Sequence, residues 1–173
     1  VIHPFLLKIG TMWTTETVNP AQEHFMTCLL RQKLIVAIDG QKTTVNSNSK
    51  KFLLYLPEGE LHELTLLFSS YLIKRAGHRI IYLGQNLPYK DIETAYKVYR
   101  PDYLLSISTS MPTKDHVQDY VNDLSNSFPK ATIYLSGYAI LSAELFVPTN
   151  VEILHQLQDL TDAIALPEKV GNN

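Results

Sequence analysis

The sequence predicts an α/β domain built on a doubly wound, five-stranded parallel sheet and preceded by a short helical region. Two observations carry the prediction. Five short apolar runs alternate strictly with helix-length segments between residues 51 and 166, and strict βα alternation argues a parallel sheet. The runs are apolar at nearly every position, as in strands covered on both faces. Ahead of them, residues 1–45 read as helix, and Asn46-Ser47-Asn48-Ser49-Lys50 has linker composition. The chain divides accordingly into a partial helical cap (1–45), a linker (46–50) and an α/β domain (51–173).

In the first region, Ile2, Phe5, Leu6 and Ile9 fit one helical face. Asn19-Pro20 reads as an N-cap followed by proline at the first helical position. The helix then runs from Ala21 to about Ile38, with Phe25, Cys28, Leu29, Ile35 and Ala37 as apolar positions. Two helices cannot bury this surface alone. Either they pack on the second region, or they have lost partner helices upstream. The expected strands are Lys51–Leu56, Arg79–Leu83, Tyr103–Ile107, Thr132–Leu135 and Val151–Leu154. The helices between and after them are Leu61–Ala76, Tyr89–Tyr99, Lys114–Phe128, a short piece near Ala139–Glu144, and Asp159–Leu166. Gly77 stands where a helix-closing glycine belongs. Thr113 and Pro129 bracket the third helix.

A chain of 173 residues is one domain, or one domain with a small appendage. It can bury roughly 70% of its unfolded surface, so it needs no disulfide. With 45% hydrophobic and 18% charged residues it is globular and not disordered. Fifteen basic against 17 acidic residues give a net charge of −2, which is not the footprint of an autonomous nucleic-acid binder. Cys28 is the only cysteine, which excludes an internal disulfide and a cysteine-rich zinc site. No run of 18 apolar residues predicts a membrane span. Val1–Phe5 lacks the basic start of a signal peptide, so a cytoplasmic protein is expected. The sequence has no initiating Met and starts in mid-pattern, as a fragment would.

Ligands of doubly wound sheets bind beyond the carboxyl ends of the strands. The loops in question are Pro57–Glu60, Gly84–Pro88, Ser108–Pro112 and Ser136–Tyr138. Neither GxxxxGK[ST] nor GxGxxG occurs, which removes the two commonest nucleotide readings of this fold. The informative stretch is Pro57-Glu58-Gly59-Glu60-Leu61-His62-Glu63-Leu64-Thr65. His62 falls at or just before the start of the first helix of the sheet, where a neutral imidazole is a good transition-metal ligand. Glu60 can accept the proton on the other ring nitrogen, which fixes the tautomer and raises the ligand's basicity. The nonapeptide alone also fits a histidine that merely caps or packs.

Glu60-x-His62-x-x-Thr65 resembles the Asp/Glu-x-His-x-x-Gly signature of base-off, His-on cobalamin-binding domains, among them methionine synthase and the corrinoid methyltransfer proteins. The family pattern continues with Ser-x-Leu on the third strand and Gly-Gly after the fourth. Here Ser106-Ile107-Ser108 begins 44 residues after His62, and Ser136-Gly137 follows 30 residues later. The resemblance implies a flavodoxin-like fold and His62 as lower ligand of cobalt. It implies a serine side, Ser106 and Ser108, that hydrogen-bonds the nucleotide tail. The small pair, Ser136-Gly137, leaves room for that tail. Three residues depart from the pattern: Thr65 and Ser136 replace glycines, and Ser108 replaces the leucine. Two other registers stay open, Ser108-Thr109-Ser110 for the serine motif and Gly137-Tyr138 for the small pair, in which Tyr138 would block the tail.

Trp13 is followed after nine residues by Glu23-His24. This spacing resembles the helical cap of the cobalamin-dependent, often light-responsive regulators of the MerR transcription-factor class. The resemblance implies adenosylcobalamin with Trp13 as an apolar wall and Glu23 and His24 as hydrogen-bonding groups. Thr14 stands where light-sensing relatives place a histidine. The expected protein is therefore a sensor module and not an enzyme, a homo-oligomer that reaches DNA only through an N-terminal domain absent here. The alternatives are a corrinoid component of a methyltransferase, or a regulatory domain that has lost its cobalamin.

The remaining candidates have plainer readings. His78, His116 and His155 are expected at the surface, and His3 as a cap residue. Cys28 is expected in the core. Asp91, Asp115 and Asp119 are expected on exposed helix faces, and Tyr96, Tyr99, Tyr120 and Tyr134 in ordinary packing. Gly84–Pro88 is a candidate for the corrin edge.

Overall fold

A computed structural model describes residues 19–42 and 45–165. Five strands form where the apolar runs lie: β1 (Lys51–Pro57), β2 (Arg79–Leu87), β3 (Tyr103–Ile107), β4 (Thr132–Ser136) and β5 (Val151–Ile153). All pairs are parallel, in the order β2-β1-β3-β4-β5. This is the flavodoxin-like order, with its switch point between β1 and β3. The helices are α1 (Pro20–Asp39), α2 (Leu64–Arg75), α3 (Tyr89–Tyr99), α4 (Val117–Ser127), α5 (Tyr138–Leu141) and α6 (Leu157–Ala163).

Alternation along the strands divides the core in two. Phe52, Leu54 and Leu56 of β1 pack with Leu66 and Ile73 of α2 and Leu160 of α6. Leu53 and Tyr55 pack with Ile92 of α3, Val121 and Leu124 of α4, and Ile140 of α5. Both faces are covered, as the unbroken apolar runs predict.

Several boundaries move. The helix expected from Leu61 begins at Leu64, so His62 lies in the preceding loop. The strand expected to end at Leu83 continues to Leu87, because Gly84 (φ +81°) and Asn86 (φ +57°) let it bulge while still pairing with β1. Lys114–His116 is a 3-10 turn ahead of α4. The last two helices start earlier and end sooner than expected. The segment read as a linker is a folded turn: Ser49 N–H donates to Asn46 O (3.1 Å), and Asn48 N–H donates to Asn46 Oδ1 (2.8 Å). Its Ser49 hydroxyl donates to Gly77 O.

The N-terminal cap of α1 is as expected. Asn19 accepts from the Gln22 amide, and the Gln22 side chain accepts from the Asn19 amide. The helix lies on the α/β domain along one narrow stripe. Leu34 is its one buried residue, packed with Ile38 against Leu67, Phe68, Tyr71 and Leu72. Arg31 meets Glu63, Gln41 Nε2 donates to Tyr71 O (3.1 Å), and Lys74 Nζ donates to Ile38 O (2.7 Å). Rising positions on α1 thus meet rising positions on α2, and the two helices run parallel. Residues Pro20 to Leu30 therefore project past the start of α2 by roughly 16 Å, at about 1.5 Å per residue. Among the described residues, none from Pro20 to Leu30 is buried. Phe25 is 68% exposed, as are Leu29, Ile35 further along the helix, and Cys28, which was expected in the core. Among the described residues, no helix is long and apolar enough to cross a membrane.

Candidate functional site

The loop after β1 is built around a buried carboxylate. Glu60 is fully excluded from solvent. Its Oε2 accepts backbone N–H groups of Thr109 (2.7 Å), Ser110 (2.6 Å) and Met111 (3.2 Å), and the Ser110 hydroxyl (3.3 Å). These donors belong to the loop after β3, so Glu60 ties together the two loops that flank the topological switch point. Its other oxygen, Oε1, accepts from the His62 amide (3.0 Å) and is hydrogen-bonded to His62 Nδ1. Burial works against the charge, but the amides of Ser110, His62 and Met111 and the His62 ring outweigh it and hold the carboxyl at about 2. An ionised carboxylate at Nδ1 keeps the proton on that nitrogen. That leaves Nε2 as the ring nitrogen available to a metal, and the side chain is 57% exposed. Two further bonds brace the loop: Asn86 N–H donates to Glu60 O (3.1 Å), and Gly59 N–H donates to Asn86 Oδ1 (2.8 Å).

Glu63, next to His62, is a second buried acid. Its Oε2 accepts from Arg31 Nε of α1 (2.6 Å) and its Oε1 from the Tyr82 hydroxyl of β2 (2.9 Å). The Glu63 carboxylate raises the Arg31 pKa through this bond and its charge. Burial and the Glu63 carboxylate push the Tyr82 phenol well up, so Tyr82 stays a donor.

A cavity of about 230 Å³ opens between α2, α6 and the carboxyl ends of β3 and β4. Thr65, Ser69, Ser136, His155 and Gln156 supply its polar lining, and Leu105, Ile107 and Leu154 much of the apolar part. Ligand pockets usually measure about 300–1,000 Å³, so this cavity suits an appendage of a larger molecule. The Ser136 hydroxyl donates to Leu154 O (2.7 Å) and is satisfied without a ligand. Gly137 (φ +96°) lies against the backbone of Ser108: a Cβ there would come within 2.4 Å of Ser108 O. The close approach is held by Ser108 N–H donating to Ser136 O (2.8 Å) and Ala139 N–H donating to Ser108 O (3.0 Å).

The predicted site residues fall into four groups. Glu60 and His62 meet in the loop after β1. Thr65, Ser136 and Gly137 gather at the cavity or beside it. Ser106 and Ser108 are buried hydroxyls with no hydrogen-bond partner among the described residues. Strand alternation turns Ser106 to the face opposite the cavity, which β3 lines with Leu105 and Ile107. Glu23 and His24 lie eight and seven residues before Arg31, so they continue the side of α1 that docks on the α/β domain. Trp13, Thr14 and His3 lie outside the described residues.

His78, expected at the surface, is buried between the Lys50 amide, which donates to its Nδ1 (3.1 Å), and Ile164 O, bonded to its Nε2 (2.8 Å). The sequence reading did not single out Arg31, Tyr82 or Asn86. A turn-type Asn two residues after Gly84 was the available signal for the last.

No family model matches the chain. It is 26% identical over 143 residues to the HTH-type transcriptional repressor CarH of Myxococcus xanthus, covering 82% of this chain and 47% of CarH. The chain thus spans about half the length of that relative. Among solved structures, the monomethylamine corrinoid protein of Methanosarcina barkeri superposes with a TM-score of 0.60 at 10% identity, covering 89% of this chain and 74% of that one. The methanol:cobalamin methyltransferase complex MtaBC, also from Methanosarcina barkeri, superposes with a TM-score of 0.52 at 13% identity, covering 90% and 60%. The chain is a distant relative of CarH, and its α/β domain has the fold of the cobalamin-binding domains.

Proposed function

We propose that this chain is a cobalamin-binding sensor module of a transcription repressor, with adenosylcobalamin held between α1 and the carboxyl edge of the sheet. One observation carries the reading. His62 stands beyond β1 at the switch point, with Nδ1 tied to the buried, ionised Glu60 and Nε2 facing outward.

The residues fit the group. A neutral imidazole held by a carboxylate is the donor a cobalt ion takes from below. The nearby cavity is of a size for the nucleotide tail. Ser136 keeps its hydroxyl on Leu154 O, and Tyr138 is exposed and does not line the cavity, so neither closes it. When bound, the cofactor supplies a cobalt centre whose upper ligand can be lost under light. His62 would hold the cobalt through its ring, Glu60 would keep the Nδ1 proton and orient that ring, and the cavity would take the tail. Glu23 and His24 would supply hydrogen-bonding groups to the cofactor from the cap. The module works by binding and not by turnover, because the bound cofactor favours one arrangement of cap and sheet over another. The relation to CarH, an HTH-type transcriptional repressor, supports a regulatory role; a homo-oligomer that meets DNA through another segment belongs to the same proposal. A methyl carrier would share the fold, but the placement of Glu23 and His24 on the docking face favours the sensor.

The test is to mix the protein with cobalamin, desalt it and record the absorption spectrum. Wild type retains cobalamin with the spectrum of histidine-ligated cobalt. His62→Ala loses that spectrum or binds at least tenfold more weakly. Unchanged affinity and spectrum in His62→Ala would overturn the assignment.

A further inference from the structure

We infer that Glu63, with Arg31 and Tyr82, is the joint that couples the cap helix to the cobalt-ligand loop. Through it the protein distinguishes cobalamins by the size of their upper ligand. The inference rests on the cobalamin reading for its ligand and on contacts within this chain for its mechanism.

Glu63 follows His62 directly and sits at the start of α2, so it cannot move without the loop. Its two carboxylate oxygens are divided between two bodies, Tyr82 of the sheet and Arg31 of the cap. The carboxylate is nearly excluded from water, while Arg31 is half exposed. Losing Arg31 would leave a buried charge with only a phenol as partner, a state costly enough to displace the side chain. The other ties of α1 lie further along: Leu34, Ile38 and the bonds from Lys74 and Gln41. Among the described residues, Arg31 is therefore the last tie before the overhang of Pro20–Leu30 begins. A small rotation about the Leu34 contact is magnified at Glu23 and His24, two turns beyond. Breaking the Arg31–Glu63 bond frees that rotation and leaves Glu60 and His62 joined. Coupling of this kind is reciprocal: whatever moves the His62 loop also biases the cap.

The prediction is separable from cofactor binding itself. Arg31 and Tyr82 bond to Glu63 and not to His62, and neither is among the residues that line the cavity. The experiment measures dissociation constants for adenosylcobalamin and methylcobalamin in wild type, Arg31→Ala, Arg31→Lys and Tyr82→Phe. Arg31→Ala should shift the ratio of the two constants at least fivefold against adenosylcobalamin. Methylcobalamin should keep its histidine-bound spectrum, with affinity within twofold. Arg31→Lys, which keeps the charge, should recover part of the shift, and Tyr82→Phe should show a smaller one. A ratio unchanged within twofold in Arg31→Ala overturns the joint. If wild type binds neither cobalamin, the cobalamin reading fails, and amide exchange in the cofactor-free protein decides the joint. Arg31→Ala should speed exchange at Leu61–Leu64 at least fivefold as well as in α1. Faster exchange in α1 alone overturns the coupling.

Discussion

The sheet and the cap helix are held by different amounts of structure. Every strand from β1 to β4 contributes fully or almost fully buried side chains or bulged pairings, and the core closes on both faces. The helix α1 is joined by a three-residue buried cluster, one ion pair and two side-chain bonds to backbone. Such differences in local packing set how readily each part opens. The sheet fixes where His62 and the cavity stand. The cap is the part that can respond. A sensor needs this asymmetry, because a ligand can shift only an element whose alternatives are close in free energy.

The largest effect comes from tightening the sheet where it has no room. In Gly137→Ala, the new Cβ meets Ser108 O at 2.4 Å and Ser108 C at 2.6 Å, and the residue keeps a left-handed backbone. Both partners are backbone and cannot turn aside. A loss of at least about 3 kcal/mol is expected, seen as one cooperative shift in denaturant melts. A loss confined to α1 would contradict the comparison.

Glu60 comes next. Its carboxyl lies at about 2 in the folded protein against an ordinary 4.5. A depressed value means that its stabilisation is present above pH 4.5 and fades as the pH falls towards 2. The hydrogen-bonded, desolvated site makes this worth on the order of 2 kcal/mol at neutral pH. Glu60→Gln loses the charge and turns an NH2 group towards N–H donors. It should cost about that much at pH 7 and flatten the acid limb between pH 4.5 and 2. Melts of both proteins across pH 2–7 measure the difference. An unchanged acid limb in Glu60→Gln would show that the carboxylate does not brace the two loops.

These two positions also show what could be read from sequence. The five apolar runs disclosed the sheet because burial on both faces leaves few polar positions. Glu60 and His62 were legible as a pair because a two-residue spacing brings them together through local backbone geometry. The amide donors of Thr109, Ser110 and Met111 were not, since they come from a loop about fifty residues away and leave no trace in side-chain identity. His78 misled for the same reason: its partners, the Lys50 amide and Ile164 O, are backbone groups distant in the chain. Cys28 misled in the opposite sense: its apolar character suggested core, but among the described residues α1 overhangs the domain there and leaves it exposed. The Glu63 joint was hidden because an acid after His62 looks like an ordinary first-turn residue.

The smallest effect on global stability, and the sharpest test of the asymmetry, is Leu34→Ala. In a closed core, removing a leucine side chain costs about 2–5 kcal/mol. Leu34 is buried, but its neighbours Leu67 and Phe68 belong to a small cluster outside the main core, and α1 can detach without opening the sheet. The cost is then paid by the docked helix, while the sheet keeps nearly all of its contacts. The midpoint of global unfolding should move by less than about 1 kcal/mol, because the free energy of a local opening is separate from that of the whole domain. Amide exchange should rise by tenfold or more across Pro20–Asp39 and stay unchanged in β1 and β3. If Leu34→Ala instead lowers global stability by the full core value, α1 and the sheet unfold as one unit. The cap would then be a structural layer of the domain, too firmly attached to be biased by a ligand at His62.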